Sequence, residues 1–163
     1  MDKNTFVSIA EKYFKRFKSY QYRINTFLND IPSLIIVIPS FNEEEISNTI
    51  NCLFFDQQSY HFNVEIIVLI NNSSDANAEI INTNKSTLQF LTDFANKYNT
   101  SNLSLHSLYV SDLNPKHAGV GWARKIGMDI ALERFLSCSS NGVIVGLDAD
   151  ATVGPNYLNS IYE

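Results

Sequence analysis

Short apolar stretches alternate with longer amphipathic ones from residue 34 onward, and this alternation restricts the possible folds more than any other feature. The stretches of strand length are residues 34–38, 64–70, 103–110 and 142–147. Helical spacing of apolar residues marks residues 43–55, 76–98 and 120–138, and a last helix begins at Pro155. Strands that alternate with helices are typical of βαβ units. We therefore predict an α/β, Rossmann-like fold, a mostly parallel sheet with helices on both faces.

The first and fourth predicted strands are continuously apolar, as expected for strands buried on both faces. Polar clusters follow the four strands at residues 39–43, 71–75, 111–119 and 148–150. Ligands of parallel sheets bind at the carboxyl ends of the strands. The four clusters should therefore gather at one edge of the sheet and form a binding site there.

The composition is that of a protein domain with its own core. The chain has 163 residues, of which 45% are hydrophobic, and no apolar run approaches the roughly 18 residues of a membrane-spanning helix. A net charge of −5 argues against broad nucleic-acid binding, which needs a basic face. The N-terminus lacks signal-peptide features, and Cys52 and Cys138 lack metal-site spacing. We expect a cytoplasmic protein with free thiols.

The first 28 residues are basic, whereas the rest of the chain is acidic. Residues 1–28 hold six Lys/Arg against two acids, a net charge of +4, and residues 29–163 hold six against fifteen, a net charge of −9. Apolar residues recur there at helical spacing, namely Phe6, Ile9, Ala10, Tyr13, Phe14, Phe17, Ile24, Phe27 and Leu28. We predict an amphipathic helix over residues 1–30 that packs on a domain formed by residues 31–163. The alternative is peripheral contact with the inner face of the membrane, or with a partner or second copy of the chain.

Two pairs of charged residues are candidates for chemistry at the predicted edge. Asp148 and Asp150 suit a hard divalent cation such as Mn²⁺ or Mg²⁺, which prefers oxygen ligands and often shares them with phosphates. The alternative is a solvated turn in which Asp150 caps a helix. Arg124 and Lys125 lie in the first turns of a helix, where the free N–H groups and two cations would attract a phosphate.

Four motifs in order resemble those of family 2 glycosyltransferases with the GT-A fold. Residues 34–44, L-I-I-V-I-P-S-F-N-E-E, are similar to the opening strand and loop V-I-P-x-Y-N-E. Residues 65–75, E-I-I-V-L-I-N-N-S-S-D, resemble the second strand and its D-D-G-S-x-D ending. Residues 118–127, A-G-V-G-W-A-R-K-I-G, resemble G-G-x-x-x-A-R-N-x-G, and residues 145–150, V-G-L-D-A-D, resemble the D-x-D strand. The ordered set is far more specific than any single motif.

The resemblance implies transfer of a sugar from a nucleoside-diphosphate sugar to a glycan, lipid or protein acceptor, assisted by Mn²⁺ or Mg²⁺. The implied donor-binding residues are Pro39, Ser40, Asn42, Glu44, Asn71, Ser73, Arg124, Lys125 and Asp148. Among them, Ser40 and Asn42 would lie beside the nucleoside, and Arg124 would approach the base or diphosphate. Asp148 and Asp150 would be the catalytic and metal-binding pair, with Asp148 facing the ribose or donor sugar. A metal that neutralises the departing diphosphate lowers the barrier.

The chain departs from the family pattern in three ways. Ile70 and Asn71 stand in place of two aspartates, and Asn72 replaces a glycine, which leaves the choice of base open. Lys125 replaces the usual asparagine and would add a cation near the phosphates. The sequence ends thirteen residues after Asp150, so we expect the acceptor site and the catalytic base to lie outside it.

Three other interpretations use the same residues. Residues 148–153, D-A-D-A-T-V, also resemble the nucleophile motif of haloacid-dehalogenase-type phosphatases, in which Asp148 would be phosphorylated and Asp150 would act as acid/base. That motif normally opens its fold, whereas three predicted strands precede it here. A sugar-nucleotide pyrophosphorylase would need a glycine-rich first loop, which residues 39–42 lack. A non-catalytic nucleotide-binding or interaction module is the remaining alternative.

Overall fold

A computed structural model describes residues 3–17, 22–24 and 31–163. The strands are β1 (Leu34–Ser40), β2 (Val64–Ser73), β3 (Leu103–Leu113) and β4 (Val143–Gly146). The helices are α1 (Lys3–Phe17), α2 (Ile46–Phe54), α3 (Ala78–Tyr98), α4 (Val120–Ser137) and α5 (Tyr157–Tyr162). All strand pairs are parallel, and the strand order is β3-β2-β1-β4. The predicted α/β fold with a parallel sheet is confirmed.

Successive residues of the central strands face opposite sides of the sheet, and helices cover both sides. Ile36 and Ile38 belong to a core shared with α2, α3 and α5. Ile35 and Val37 belong to a second core, which lies under α4 and includes Phe6 of α1 at its margin. All seven residues of β1 are buried, as expected for a strand covered on both faces.

The order of the strands reverses at β1. The chain adds β2 and β3 on one side of β1 and then returns to add β4 on the other side. In parallel sheets such a reversal opens a crevice at the carboxyl ends of the two strands, here β1 and β4. The polar clusters after the strands gather at this edge, because all four strands run in the same direction.

The start of α2 differs from the prediction. The helix begins at Ile46 rather than at residue 43, so the acidic residues precede its first turn. Asn42 has a left-handed backbone with φ 49°, and the Glu43 carboxylate accepts the N–H of Glu45 at 2.9 Å. These two features hold the segment after β1 as a loop.

Two further predictions about the sheet were wrong. β2 and β3 extend to Ser73 and Leu113, through a register shift that the apolar pattern does not reveal. β4 is half-exposed rather than buried, because only β1 pairs with it and it lies at the edge of the sheet. The helix predicted over residues 76–98 is confirmed, since α3 is one continuous helix despite its polar residues 82, 83, 84 and 86.

The N-terminal segment is shorter as a helix than predicted. Residues 22–24 are not helical, and the predictions for residues 1, 2, 18–21 and 25–30 lie outside the described residues. Tyr22 donates to the Asp112 carboxylate at 2.9 Å, and the Ile24 carbonyl accepts from Arg134 at 3.4 Å. These contacts hold residues 22–24 against the domain. Within the described ranges, no helix is both long and apolar enough to cross a membrane.

Candidate functional site

The loop after β1 opens the carboxyl edge. Ser40 is buried, and its hydroxyl has no hydrogen-bond partner among the described residues. Phe41 and Asn42 follow and are exposed. Asn42 tolerates its left-handed backbone better than most residues do, and its N–H donates to Asn84 Oδ1 at 2.9 Å. The last residue of β1 therefore carries a buried hydroxyl without a partner, and the first residue of the loop carries an exposed aromatic ring.

The end of β2 places two buried asparagines at the same edge. Asn71 Nδ2 donates to the Gly119 carbonyl at 3.3 Å, which orients the amide. Asn71 Oδ1 is then buried without a partner in the described part of the chain. Asn72 Oδ1 accepts from Asn84 Nδ2 at 3.2 Å and from the Tyr109 hydroxyl. Asn71 thus has one acceptor atom without a partner among the described residues. In Asn72, by contrast, both the amide nitrogen and the amide oxygen form hydrogen bonds within the protein.

The turn after β4 is anchored through its middle residue. Ala149 is buried, and its carbonyl accepts from Thr49 Oγ1 at 2.7 Å. The N–H of Leu147 bonds to the Val37 carbonyl at 3.0 Å, which fixes the approach to the turn. Because Ala149 points into the core, the carboxylates on either side of it, at positions 148 and 150, are exposed at the edge of the sheet.

An ion pair joins this turn to α4. Arg124 Nη2 lies 2.5 Å from Asp148 Oδ1, and the two side chains are 37% and 65% exposed. At this exposure water screens the attraction, so the pair adds little stability and remains open to a ligand. Arg124 passes close to Gly146, where an added Cβ would lie 3.5 Å from Arg124 Nε, an ordinary contact distance.

The start of α4 is open to solvent. Gly119 is its N-cap, and no side chain caps the helix. A Cβ added at Gly119 or Gly121 would meet nothing within 4 Å. Free N–H groups, the positive end of the helix dipole and the Arg124 guanidinium together form a place where an anion can approach closely.

Lys125 lies apart from this ion pair. Its ammonium is 2.7 Å from Asp129 Oδ2 and 5.9 Å from the centre of the Tyr13 ring of α1. The Tyr13 hydroxyl donates to Asp129 Oδ1 at 2.8 Å. Burial, followed by the hydrogen bond and the negative charge of Asp129, raises the pKa of Tyr13 to about 12. The structure therefore joins Lys125 to the α1 contact and leaves Arg124 with Asp148.

The donor set at the turn suits a hard cation. Among the described residues, no group of three or more His, Cys, Asp or Glu side chains is placed to hold a metal ion. Asp148 and Asp150 alone would supply two carboxylates. Mg²⁺ is commonly held by one or two carboxylates when phosphate oxygens and waters complete its shell. The pair therefore fits a cation that arrives with a phosphorylated ligand.

The other predicted site residues lie at the carboxyl ends of β1 and β2 or in the loop after β1. Pro39 is buried, Glu44 is exposed, and Ser73 is half-buried at the end of β2. The sequence-based prediction missed Asn84. The available signal for Asn84 was its spacing, since it shares one face of α3 with Leu91 and Phe94, both of which are buried.

Comparison with known proteins gives a family and a fold. No curated protein matches the chain. The crystal structure of S. aureus TarS 1–349 has 20% sequence identity and a TM-score of 0.50 over 79% of this chain and 31% of that chain. Its complex with UDP-GlcNAc has 21% identity and the same TM-score over 79% and 30%. This chain therefore spans less than a third of TarS 1–349, and the likeness shows the GT-A fold. The family model of glycosyl transferase family 2 matches residues 35–163, and the chain belongs to that family.

Proposed function

We propose that this domain binds a nucleoside-diphosphate sugar at the carboxyl edge of the sheet, for transfer of the sugar to an acceptor. The observation that carries the proposal is the pair of buried atoms Ser40 Oγ and Asn71 Oδ1, which lack partners among the described residues. A buried polar group left unsatisfied costs about 1–3 kcal/mol. A ligand that bonds to these atoms removes that cost, and they end two neighbouring strands at a sheet edge where ligands bind.

The base edge of a nucleotide suits these two atoms. Asn71 Oδ1 only accepts, so it requires an N–H, and the Ser40 hydroxyl either donates or accepts. Every common nucleobase that carries an exocyclic amine or a ring N–H presents such a donor beside an acceptor, so the atoms fit a base without selecting one. Phe41, 44% exposed and next to Ser40, offers an aromatic face on which a base can stack. The structural neighbour TarS has been crystallised in complex with UDP-GlcNAc. Uridine nucleotides are therefore the first ligands to test for binding.

The diphosphate would lie between α4 and the turn after β4. Arg124 and the open N-terminus of α4 bind and orient its oxygens, and Asp148 and Asp150 would hold Mn²⁺ or Mg²⁺. Members of this family generally use divalent cations, and a bound cation supplies positive charge to the leaving diphosphate. Arg124 supplies part of the same charge. Asp148 and Asp150 are then the proposed catalytic pair, because they would hold the cation that binds the diphosphate of the donor.

Calorimetry with UDP, GDP and UDP-GlcNAc, with and without Mn²⁺, tests the donor site. We expect Mn²⁺ to strengthen UDP binding in the parent, and Asp150→Asn to lose most of that strengthening while it keeps its metal-free affinity. Asp56→Asn, which changes an exposed acid beyond the end of α2, is the matched control and should behave as the parent does. A parent that binds no nucleotide, or an Asp150→Asn variant identical to it, would refute the proposal.

The alternative phosphatase function gains no support. The family match covers the D-A-D turn together with the three strands before it.

We also propose that the outer face of α1 contacts an anionic membrane surface. Lys12, Lys15 and Arg16 are exposed there, and Ile9 and Phe17 beside them are 53% and 46% exposed. Tyr13 holds the inner face against α4 through Asp129, so the basic side is directed outward. Each cation near an anionic bilayer contributes about 1 kcal/mol to binding, which makes this contact weak, peripheral and sensitive to salt.

Cosedimentation with vesicles tests the membrane contact. We expect vesicles with anionic lipid to bind the protein at low salt, and purely zwitterionic vesicles not to. Lys12→Gln with Lys15→Gln should weaken binding by about 25-fold. Lys85→Gln with Lys97→Gln removes the same charge from exposed positions on α3 and should bind as the parent does. Equal loss in both double variants would contradict a specific role for α1.

A further inference from the structure

Asn84 connects three segments that meet at the carboxyl edge. It is fully buried on α3. Its Oδ1 accepts the N–H of Asn42 at 2.9 Å. Its Nδ2 donates to the Asn71 carbonyl at 3.1 Å and to Asn72 Oδ1 at 3.2 Å. One side chain therefore ties the loop after β1 to the end of β2.

The buried face of α3 changes from polar to apolar along the helix. Asn84 and Thr87 are polar and lie toward the carboxyl edge, whereas Leu91 and Phe94 are apolar and pack in the core. Thr87 Oγ1 donates to the Glu43 carbonyl at 3.2 Å. α3 thus bonds to two consecutive residues of the loop after β1, at the N–H of residue 42 and the carbonyl of residue 43.

We infer that Asn84 is a positioning residue for the nucleoside part of the donor, an inference that rests on the donor site proposed above. Asn42 has a left-handed backbone, which asparagine adopts more readily than most residues do. The bond from Asn84 to its N–H holds it in that conformation. The register of β1 and β2 already sets Ser40 opposite Ile70, so Asn84 acts on the loop that follows Ser40. It ties Asn42, which adjoins the exposed Phe41, to the strand end that carries Asn71, and this holds the loop in place beside the two unsatisfied atoms.

The amide group suits this role because it both donates and accepts. Aspartate in its place would keep the acceptor for Asn42 but would turn a charged oxygen toward the Asn71 carbonyl and Asn72 Oδ1, which are also acceptors. Leucine would remove all three bonds. Sites held in advance by packed, hydrogen-bonded neighbours bind more tightly, because less order is lost on binding.

The test compares UDP with inorganic pyrophosphate as probes, both with Mn²⁺. Asn84→Leu should weaken UDP binding by about tenfold and leave pyrophosphate binding within twofold, because pyrophosphate makes no nucleoside contact. Thr87→Val, a milder change that removes the bond to the Glu43 carbonyl, should weaken UDP binding by a smaller factor. Phe94→Leu changes the same face of α3 far from the edge and should lower stability without a change in either affinity.

Amide hydrogen exchange gives a second measurement that does not depend on ligand binding. The N–H of Asn42 should exchange slowly in the parent and at least tenfold faster in Asn84→Leu. Unchanged exchange, or equal losses of UDP and pyrophosphate affinity, would overturn the inference. If the parent binds no UDP while Asn42 exchange still depends on Asn84, the donor site fails and the connection between the two segments stands as structural.

Discussion

A buried ion pair between β2 and α4 allows the most quantitative prediction. Glu65 and Arg134 are each 5% exposed. Arg134 Nε lies 2.5 Å from Glu65 Oε2, and Nη2 lies 2.6 Å from Oε1. Glu65→Gln keeps the size of the side chain but leaves a buried guanidinium beside an uncharged amide. Breaking one side of such a pair costs about 3–5 kcal/mol.

This cost corresponds to a large change in melting temperature. With an unfolding entropy of about 2.1 cal/mol/K per residue, a chain of 163 residues loses about 3 °C for each 1 kcal/mol. We therefore expect Glu65→Gln to lower Tm by about 9–15 °C. UDP affinity of the folded protein should not change, since Arg134 lies in the last turn of α4 and Arg124 near its first.

Calorimetry and urea unfolding measure the effect. The urea midpoint should fall at constant m, because the surface exposed on unfolding hardly changes. The double variant Glu65→Leu with Arg134→Met removes both charges and should recover most of the loss. A loss below about 1 kcal/mol in the single variant, or a double variant no more stable than the single one, would refute the argument.

Two further predictions concern stability. A Cβ at Gly127 would lie 2.4 Å from Val37 Cγ1, so Gly127→Ala should destabilise by about 1–3 kcal/mol in urea unfolding, whereas Gly121→Ala, which meets open space, should not clash. Burial lowers the pKa of His106 below 6.5, against the opposing charge of Glu65. The unfolded chain then binds the proton more tightly, so stability should fall as pH drops below about 6.5. His106→Gln should flatten that dependence, and an unchanged slope would contradict this assignment.

The local motifs predicted that charged residues lie at the carboxyl edge of the sheet, but not the direction of every side chain. The D-A-D turn and the R-K pair were visible in the sequence, and the structure brings Arg124 to Asp148. Lys125 follows Arg124 directly, yet it bonds to Asp129. Neighbouring residues on a helix point about 100° apart. Arg124 therefore points toward the turn after β4, whereas Lys125 points toward α1. A motif does not contain this information, because the contact with α1 joins residues more than 100 positions apart.

Helix boundaries likewise depend on contacts that a local sequence motif does not contain. The acidic residues after β1 match the first turn of a helix, but Asn42 has a positive φ and Glu43 bonds to the backbone of Glu45. α3 is polar in its first half, and there the buried amide of Asn84 is satisfied by atoms of the loop after β1 and the end of β2.

The sequence by itself determined the alternation of strands and helices, the buried character of β1 and the gathering of polar clusters at one edge. These properties follow from periodicity, which is local, and from the parallel direction that βαβ connections impose. Only the tertiary structure decided the edge position of β4, the partner of Lys125 and the contacts of Asn84. Each of these depends on contacts between segments distant in the chain, and such contacts exist only after the sheet and its helices have packed.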